Sequence, residues 1–177
     1  MPAPMATVRQ ATTGDAAAIA AIYRPYVEHT RISFEDVAPS PDDIARRLSG
    51  PIHPWLVIAE GEQILGYAST SPMRGRPAYR WSVETGIYLA SDVQGRGLGR
   101  RLLAAHLDLL ERQGFVTIVA GIALPNDASV ALHAKLGFTL SGIERGVGFK
   151  FGEWVDVGRW QRDLARRNPN PREPVLP

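Results

Sequence analysis

The chain has 177 residues, 45% of them hydrophobic, enough for one well-buried globular domain and too few for two independent ones. Its 20 Lys+Arg and 18 Asp+Glu leave a net charge of +2, without the dense basic stripe that nucleic-acid binding calls for. The absence of cysteine excludes disulfides, zinc–thiolate sites and a thiol nucleophile within this sequence. The opening MPAPMATVRQ lacks an apolar run of signal-peptide length, and no later stretch is apolar enough to span a membrane. A cytoplasmic protein is therefore expected, with neither nucleic acid nor membrane as a partner.

In chain order, ATVRQAT alternates as a first strand, and Thr13 or Asp15 caps a helix over 16–27. Its apolar positions Ile19, Ile22, Tyr23 and Val27 recur at helical spacing. A loop follows, then a short helix over 43–48. WLVIAE and QILGYASTS are strands joined at Gly61-Glu62, a hairpin signal. SPMRGRPAYR is an arginine-rich loop and WSVETGIYLA the next strand. A helix over 98–113 carries a leucine face, Leu98, Leu102 and Leu109, expected in the core. FVTIVAGIA is a continuous apolar strand, LPND a turn, and 128–136 a helix ended by Gly137. FTLSGIERGVGFKFGEWVDVGRWQRDL forms two antiparallel strands with a bulged or looped crossing. The last segment is proline-rich and expected to be unpacked. The fold class is α/β (α+β): one domain over 1–177 with a core of about 7–164, a tail of 165–177, and a mostly antiparallel mixed sheet flanked by helices.

Between strand and helix stands Gln94-Gly95-Arg96-Gly97-Leu98-Gly99. Few side chains obstruct this loop, so backbone N–H groups can approach a pyrophosphate. The helix it opens presents unsatisfied N–H groups and the positive end of its dipole. Arg96, Arg100 and Arg101 add charge at the same end. A tight strand–helix turn is the plain alternative. A Walker A loop is ruled out because no Gly-Lys-Ser/Thr follows, and the dinucleotide fingerprint fits poorly in spacing and lacks the acidic residue for a ribose.

Gln-x-x-Gly-x-Gly, here Gln94, Gly97 and Gly99, resembles the pyrophosphate arm of the GNAT N-acetyltransferases. YRWSVETGIYL, GIALPNDASVALHAKLGF and GFKFGEWVDVGRWQRDL are similar to segments of the phosphinothricin and methionine sulfone/sulfoximine branch, from about Thr7 to Leu164. The resemblance implies a GNAT fold and acetyl transfer from acetyl-CoA to the amino group of a small amino-acid analogue. It also implies a homodimer with Trp154 and Trp160 contributing; the lack of cysteine points to direct transfer in a ternary complex, and His29, His53 and His106 share no metal-ligand spacing, so no metal site is expected. Acetylation of protein N-termini or polyamines, or a non-catalytic coenzyme A-binding module, are the alternatives.

An amine attacks a thioester only as the free base, so a carboxylate near the nucleophile is needed to take its proton. The resemblance places that base at Glu84, in an apolar run where partial burial would make it a better proton acceptor; an edge-strand glutamate facing solvent is the alternative. The resemblance implies that Ile87, Tyr88 and Leu89 run along the pantetheine arm, with a backbone N–H near Leu89 polarising the carbonyl. Gln94 to Arg100 (Gly95, Arg96, Gly97, Leu98 and Gly99 between them) and Asn126 would complete the cofactor site. Asn126 also fits an Asx turn. His133 matches a histidine close to the reacting groups, and equally fits a structural role. Lys135 is read as solvated or near an outer phosphate. On the acceptor side, Arg74 matches a carboxylate-contacting arginine, with Arg76 and Glu35 nearby and Phe34 and Tyr79 as pocket walls.

Overall fold

Alternating apolar strands and amphipathic helices assemble, in a computed structural model that describes residues 5–50 and 52–177, into one seven-stranded sheet with helices on both faces. Four residues of the opening segment read above lie outside the described residues. The elements are β1 (Thr7–Gln10), α1 (Ala16–His29), α2 (Pro41–Leu48), β2 (Leu56–Glu60), β3 (Gln63–Pro72) and β4 (Ser82–Leu89). They continue with α3 (Leu98–Gln113), β5 (Thr117–Ala123), α4 (Asp127–Lys135), β6 (Thr139–Lys150) and β7 (Glu153–Asp163). The strand order is β1-β2-β3-β4-β5-β7-β6. Every neighbouring pair is antiparallel except β4 and β5. This is the mixed, mostly antiparallel sheet expected.

Strand alternation explains why central strands read as continuous apolar runs: both faces are covered. In β2, Val57 packs with Ile19, Tyr23 and Ile44 of α1 and α2, whereas Leu56 and Ile58 pack with Leu98 and Leu102 of α3. Leu98, Leu102 and Leu109 are buried, as the leucine stripe required. Leu103, Leu107 and Leu110 of α3 join Ile118, Ile122 and Phe138 in a second cluster, against which Val130 and Leu132 of α4 pack.

Capping moves several boundaries. Ser40 and Asp43 bond reciprocally, with Pro41 in the first turn, so α2 starts two residues before the expected Asp43. Neither Thr13 nor Asp15 makes a side-chain cap on α1; Asp15 instead closes a box with Thr12 and pairs with Arg9 at 2.7 Å. β6 and β7 meet at Phe151-Gly152, both at positive φ, and their register shifts twice, which is the bulged crossing anticipated.

The proline-rich tail corrects the expectation of an unpacked end. The Gln113 amide donates to the Val175 carbonyl at 2.8 Å, and the Val175 N–H donates to the Gln113 carbonyl at 2.9 Å. Trp81 donates to the Arg172 carbonyl at 2.8 Å, and Arg80 pairs with Glu173 while lying over the Trp81 ring. Proline removes donors, yet its neighbours' carbonyls remain good acceptors, and that is how this segment docks.

Candidate active site

β4 and β5 pair only where Ser82, Val83 and Glu84 face Thr117, Ile118 and Val119. Beyond that point β4 stays with β3, β5 stays with β7, and the two strands part. Their facing edges, Thr85–Leu89 and Ala120–Ala123, line a groove of about 500 Å³ that continues along the loop before α3 and one face of α4. Strand edges without a strand partner offer backbone donors and acceptors to an extended ligand.

The glycine loop closes one end. Gly95 and Gly97 have φ of 80° and 75°, and Gly97 is the N-cap of α3. A Cβ at either would meet nothing within 4 Å, so the left-handed backbone, not crowding, requires glycine. Gly99 lies in the first turn of α3, where a Cβ would meet Leu132 at 3.4 Å and Leu89 at 3.5 Å, ordinary contact distances. Gln94, Gly95, Gly97, Leu98, Gly99 and Arg100 line the groove, as do Ile87, Tyr88, Leu89, Asn126 and Lys135. Arg96 and Arg101 do not. Arg96 pairs with Glu60, and Arg101 donates to the Ala6 carbonyl at 2.6 Å. Asn126 combines its two readings, since Oδ1 accepts from Ser129 N–H at 3.2 Å while the residue lines the groove.

His133 lies on the groove wall, 2% exposed. Its Nδ1 is 2.8 Å from the Ser129 carbonyl oxygen, to which it donates, and the ring stands edge-on to Phe138. Nε2 is left as a buried lone pair with no hydrogen-bond partner among the described residues. Burial lowers the pKa from 6.5, the bond to Ser129 opposes this, and the ring is neutral near pH 7.

Glu84 stands where the strands divide. It shares a face of β4 with Gly86 and Tyr88, and Tyr88 packs on Tyr23 and Tyr26 of α1. The opposite face belongs to α3, where the Thr85 hydroxyl shares a 3.3 Å hydrogen bond with His106. The apolar enclosure expected around Glu84 is absent. Its side chain is 30% exposed, and it accepts a 2.8 Å hydrogen bond from Arg159, whose Nε donates to Glu144 at 3.1 Å. The apolar letters around Glu84 belong to residues on the other face or beside the groove.

The acceptor-side residues are gathered only in part. The Phe34 ring lies against Gly148, where a Cβ would overlap it. Glu35 takes two hydrogen bonds from Arg47, at 2.7 and 3.0 Å, and one from Tyr23, which keep its carboxyl below the ordinary value. Lys150 Nζ, itself buried, donates to the carbonyls of Val27 and Ser33 and pins the same loop. Arg74, Arg76 and Tyr79 are exposed and line no part of the groove. Their loop nonetheless leaves the sheet beside Glu84, whose Cα partner is Ser71.

Sequence reasoning missed Tyr26, Ile32 and Arg159. The Tyr26 hydroxyl donates to the Leu89 carbonyl at 2.6 Å and accepts from Gln94 at 3.1 Å, tying α1 to the end of β4 and the start of the glycine loop. Its spacing from Ile22 and Tyr23 was a usable signal. Arg159 gave none, because its role depends on β7 lying beside β5. Among the described residues, no group of three or more His, Cys, Asp or Glu side chains could hold a metal ion, and no helix is long and apolar enough to cross a membrane.

Comparison with known proteins agrees with this geometry. Residues 8–158 match the acetyltransferase (GNAT) domain. The chain is 40% identical over 174 residues to phosphinothricin N-acetyltransferase of Streptomyces viridochromogenes, covering 96% of this chain and 93% of that protein. It is 39% identical over 163 residues to the L-methionine sulfoximine/L-methionine sulfone acetyltransferase of Salmonella typhimurium, covering 89% and 94%. A phosphinothricin acetyltransferase from Sinorhizobium meliloti, solved in complex with acetyl-CoA, superposes with a TM-score of 0.88 at 34% identity, covering 97% of each chain. Fold, groove and sequence converge: the chain belongs to the GNAT acetyltransferase family.

Proposed function

We propose that the chain is an acetyl-CoA-dependent N-acetyltransferase for a small amino acid or analogue of the phosphinothricin or methionine sulfone/sulfoximine type. The observation that carries this reading is the split between β4 and β5, which puts open strand edges and a glycine-rich helix N-terminus on one groove, with Glu84 in the last residue pair before the strands part. The groove fits the cosubstrate: Gly95 and Gly97 keep side chains out of the loop, and His133 Nε2 lacks a partner. Acetyl-CoA would supply the activated acetyl thioester. The 94–100 backbone and Arg100 hold its pyrophosphate. Ile87, Tyr88 and Leu89 bond the pantetheine amides, an N–H near Leu89 polarises the carbonyl, and Asn126 adds a contact. Glu84, on the α1 face, takes a proton from the acceptor ammonium, and the freed amine attacks directly. His133 offers a fixed acceptor beside the reacting groups. With no cysteine present, transfer proceeds in a ternary complex.

The acceptor enters between Phe34 and the 73–80 loop, where Arg74 and Arg76 meet its carboxylate and Tyr79 closes the wall. Glu35 acts by holding the Phe34 loop. Residues 1–177 form one catalytic domain of a cytoplasmic homodimer. Trp154, 71% exposed and tilted against Phe149, sits in the dimer contact; Trp160, 7% exposed, is core and does not. Coenzyme A release should be screened across amino-acid analogues and their decarboxylated amines, with Arg74→Ala beside the native chain. Loss of one charge-assisted contact costs about 1.5–3 kcal/mol, so the variant should lose ten- to a hundredfold in kcat/KM on the amino acids alone. Native preference for polyamines or simple amines would refute this specificity.

A further inference from the structure

Arg159 and Glu84 stand on strands that are not neighbours. β5 runs between β7 and β4, and on this face any β5 side chain would part the two groups. The β5 residue opposite Arg159 is Gly121. A Cβ there would lie 2.8 Å from Arg159 Nη1 and 3.1 Å from Glu84 Oε1. The missing side chain is thus a window through which the guanidinium crosses one strand and reaches a carboxylate on the next.

Both ends of the crossing are held. Behind, Arg159 Nε donates to Glu144 of β6 at 3.1 Å; ahead, Nη1 donates to Glu84 Oε1 at 2.8 Å. Among the described residues, Arg159 is the sole side chain hydrogen-bonded to Glu84. A glutamate has three rotatable side-chain bonds, and one that moves a proton must keep its oxygen within hydrogen-bond reach of the donor. A single bond at Oε1 fixes the carboxylate and leaves Oε2 unbonded.

We propose that Arg159 is a positioning residue for the transfer reaction, acting through the Gly121 window to aim Glu84 Oε2 at the acceptor nitrogen. The inference rests on Glu84 as the proton acceptor. In the step, the acceptor N–H bond breaks, its electron pair stays on nitrogen, and the proton bonds to Oε2. Arg159 keeps its own protons throughout.

The test is a double-mutant cycle on kcat with Glu84→Gln, Arg159→Met and the pair, adding Arg159→Lys and Gly121→Ala. Arg159→Met should lower kcat about tenfold or more with the KM for acetyl-CoA unchanged, and Arg159→Lys should restore part of it. In the Glu84→Gln background the same change should alter kcat less than about twofold, because nothing is left to aim. Gly121→Ala keeps every charge and should mimic Arg159→Met; it carries the cycle if that variant does not fold. Equal loss in both backgrounds would overturn the inference while leaving Glu84 as the base. So would a loss confined to the KM of amino acids and absent for decarboxylated amines, which would make Arg159 a substrate clamp. Full activity of Glu84→Gln would remove the base and the inference together.

Discussion

At the scale of single residues, the chemistry depends on which charges are already satisfied. Glu35, Arg96 and Arg101 each have partners within the fold, while among the described residues Arg74 Nη1 bonds only to the carbonyl of its neighbour Met73 at 2.8 Å. Glu84 is half-satisfied, with one oxygen held and the carboxylate partly open to solvent. Glu84→Gln is nearly isosteric and should lower kcat near neutral pH by roughly a hundredfold or more, the range for loss of a general base. Acetyl-CoA affinity should stay constant in calorimetric titration. Raising the pH should recover part of the rate, because more of the acceptor is then already free amine. A native pH–rate profile in the variant would take Glu84 out of the mechanism.

Among the elements, the glycine turn and α3 act as one unit. Gly97→Val puts a β-branched residue at φ 75° in a position that lines the groove, costing about 1–3 kcal/mol of backbone strain. Acetyl-CoA affinity should fall strongly while circular dichroism and tryptophan fluorescence stay native. Unchanged affinity would reduce the loop to a turn. This unit was legible in the sequence because its signals are local: glycine spacing, a leucine period and an apolar strand. The starts of α1 and α2 were readable to about two residues, although the expected side-chain caps of α1 do not form. The Glu84–Arg159 crossing was not legible. It joins positions 75 residues apart through a strand order that places β7 beside β5, and Gly121 reads locally as an ordinary interruption of an apolar run. The docked tail escaped for a similar reason: proline content predicts poor internal pairing and says nothing about carbonyls used as acceptors.

For the whole molecule, burial of titratable groups ties stability to pH. His106 is fully buried between the hydroxyls of Thr70, at 2.6 Å, and Thr85, and burial depresses its pKa from 6.5 to about 4. Below pH 6.5 the unfolded chain takes up a proton at this position that the folded chain refuses until about pH 4. Stability therefore falls as pH drops through that window, by about 3 kcal/mol, and levels off below it. Asp15, held near 2 chiefly by its hydrogen bond from Arg9, adds a second loss between pH 3.8 and about 2. Urea titrations across pH should show both stages, and His106→Gln should weaken the first alone, leaving the share of His53 and His133, whose pKa values burial also lowers. An unaltered slope in that variant would assign the effect elsewhere. The parting of β4 from β5 has a mechanical consequence as well. The sheet is two leaves, β1–β4 and β5–β7, with a seam only three residue pairs long. A molecule lodged along the open part acts as a splint, fastening leaves whose strands pair only at their base. With acetyl-CoA present, deuterium uptake at Thr85–Leu89 and Ala120–Ala123 should slow together, while the outer strands β1 and β6 keep their rates. At a hundredfold excess over Kd the melting point should rise by the equivalent of about 2.7 kcal/mol. Slowing on one leaf alone would mean that the splint does not bridge them.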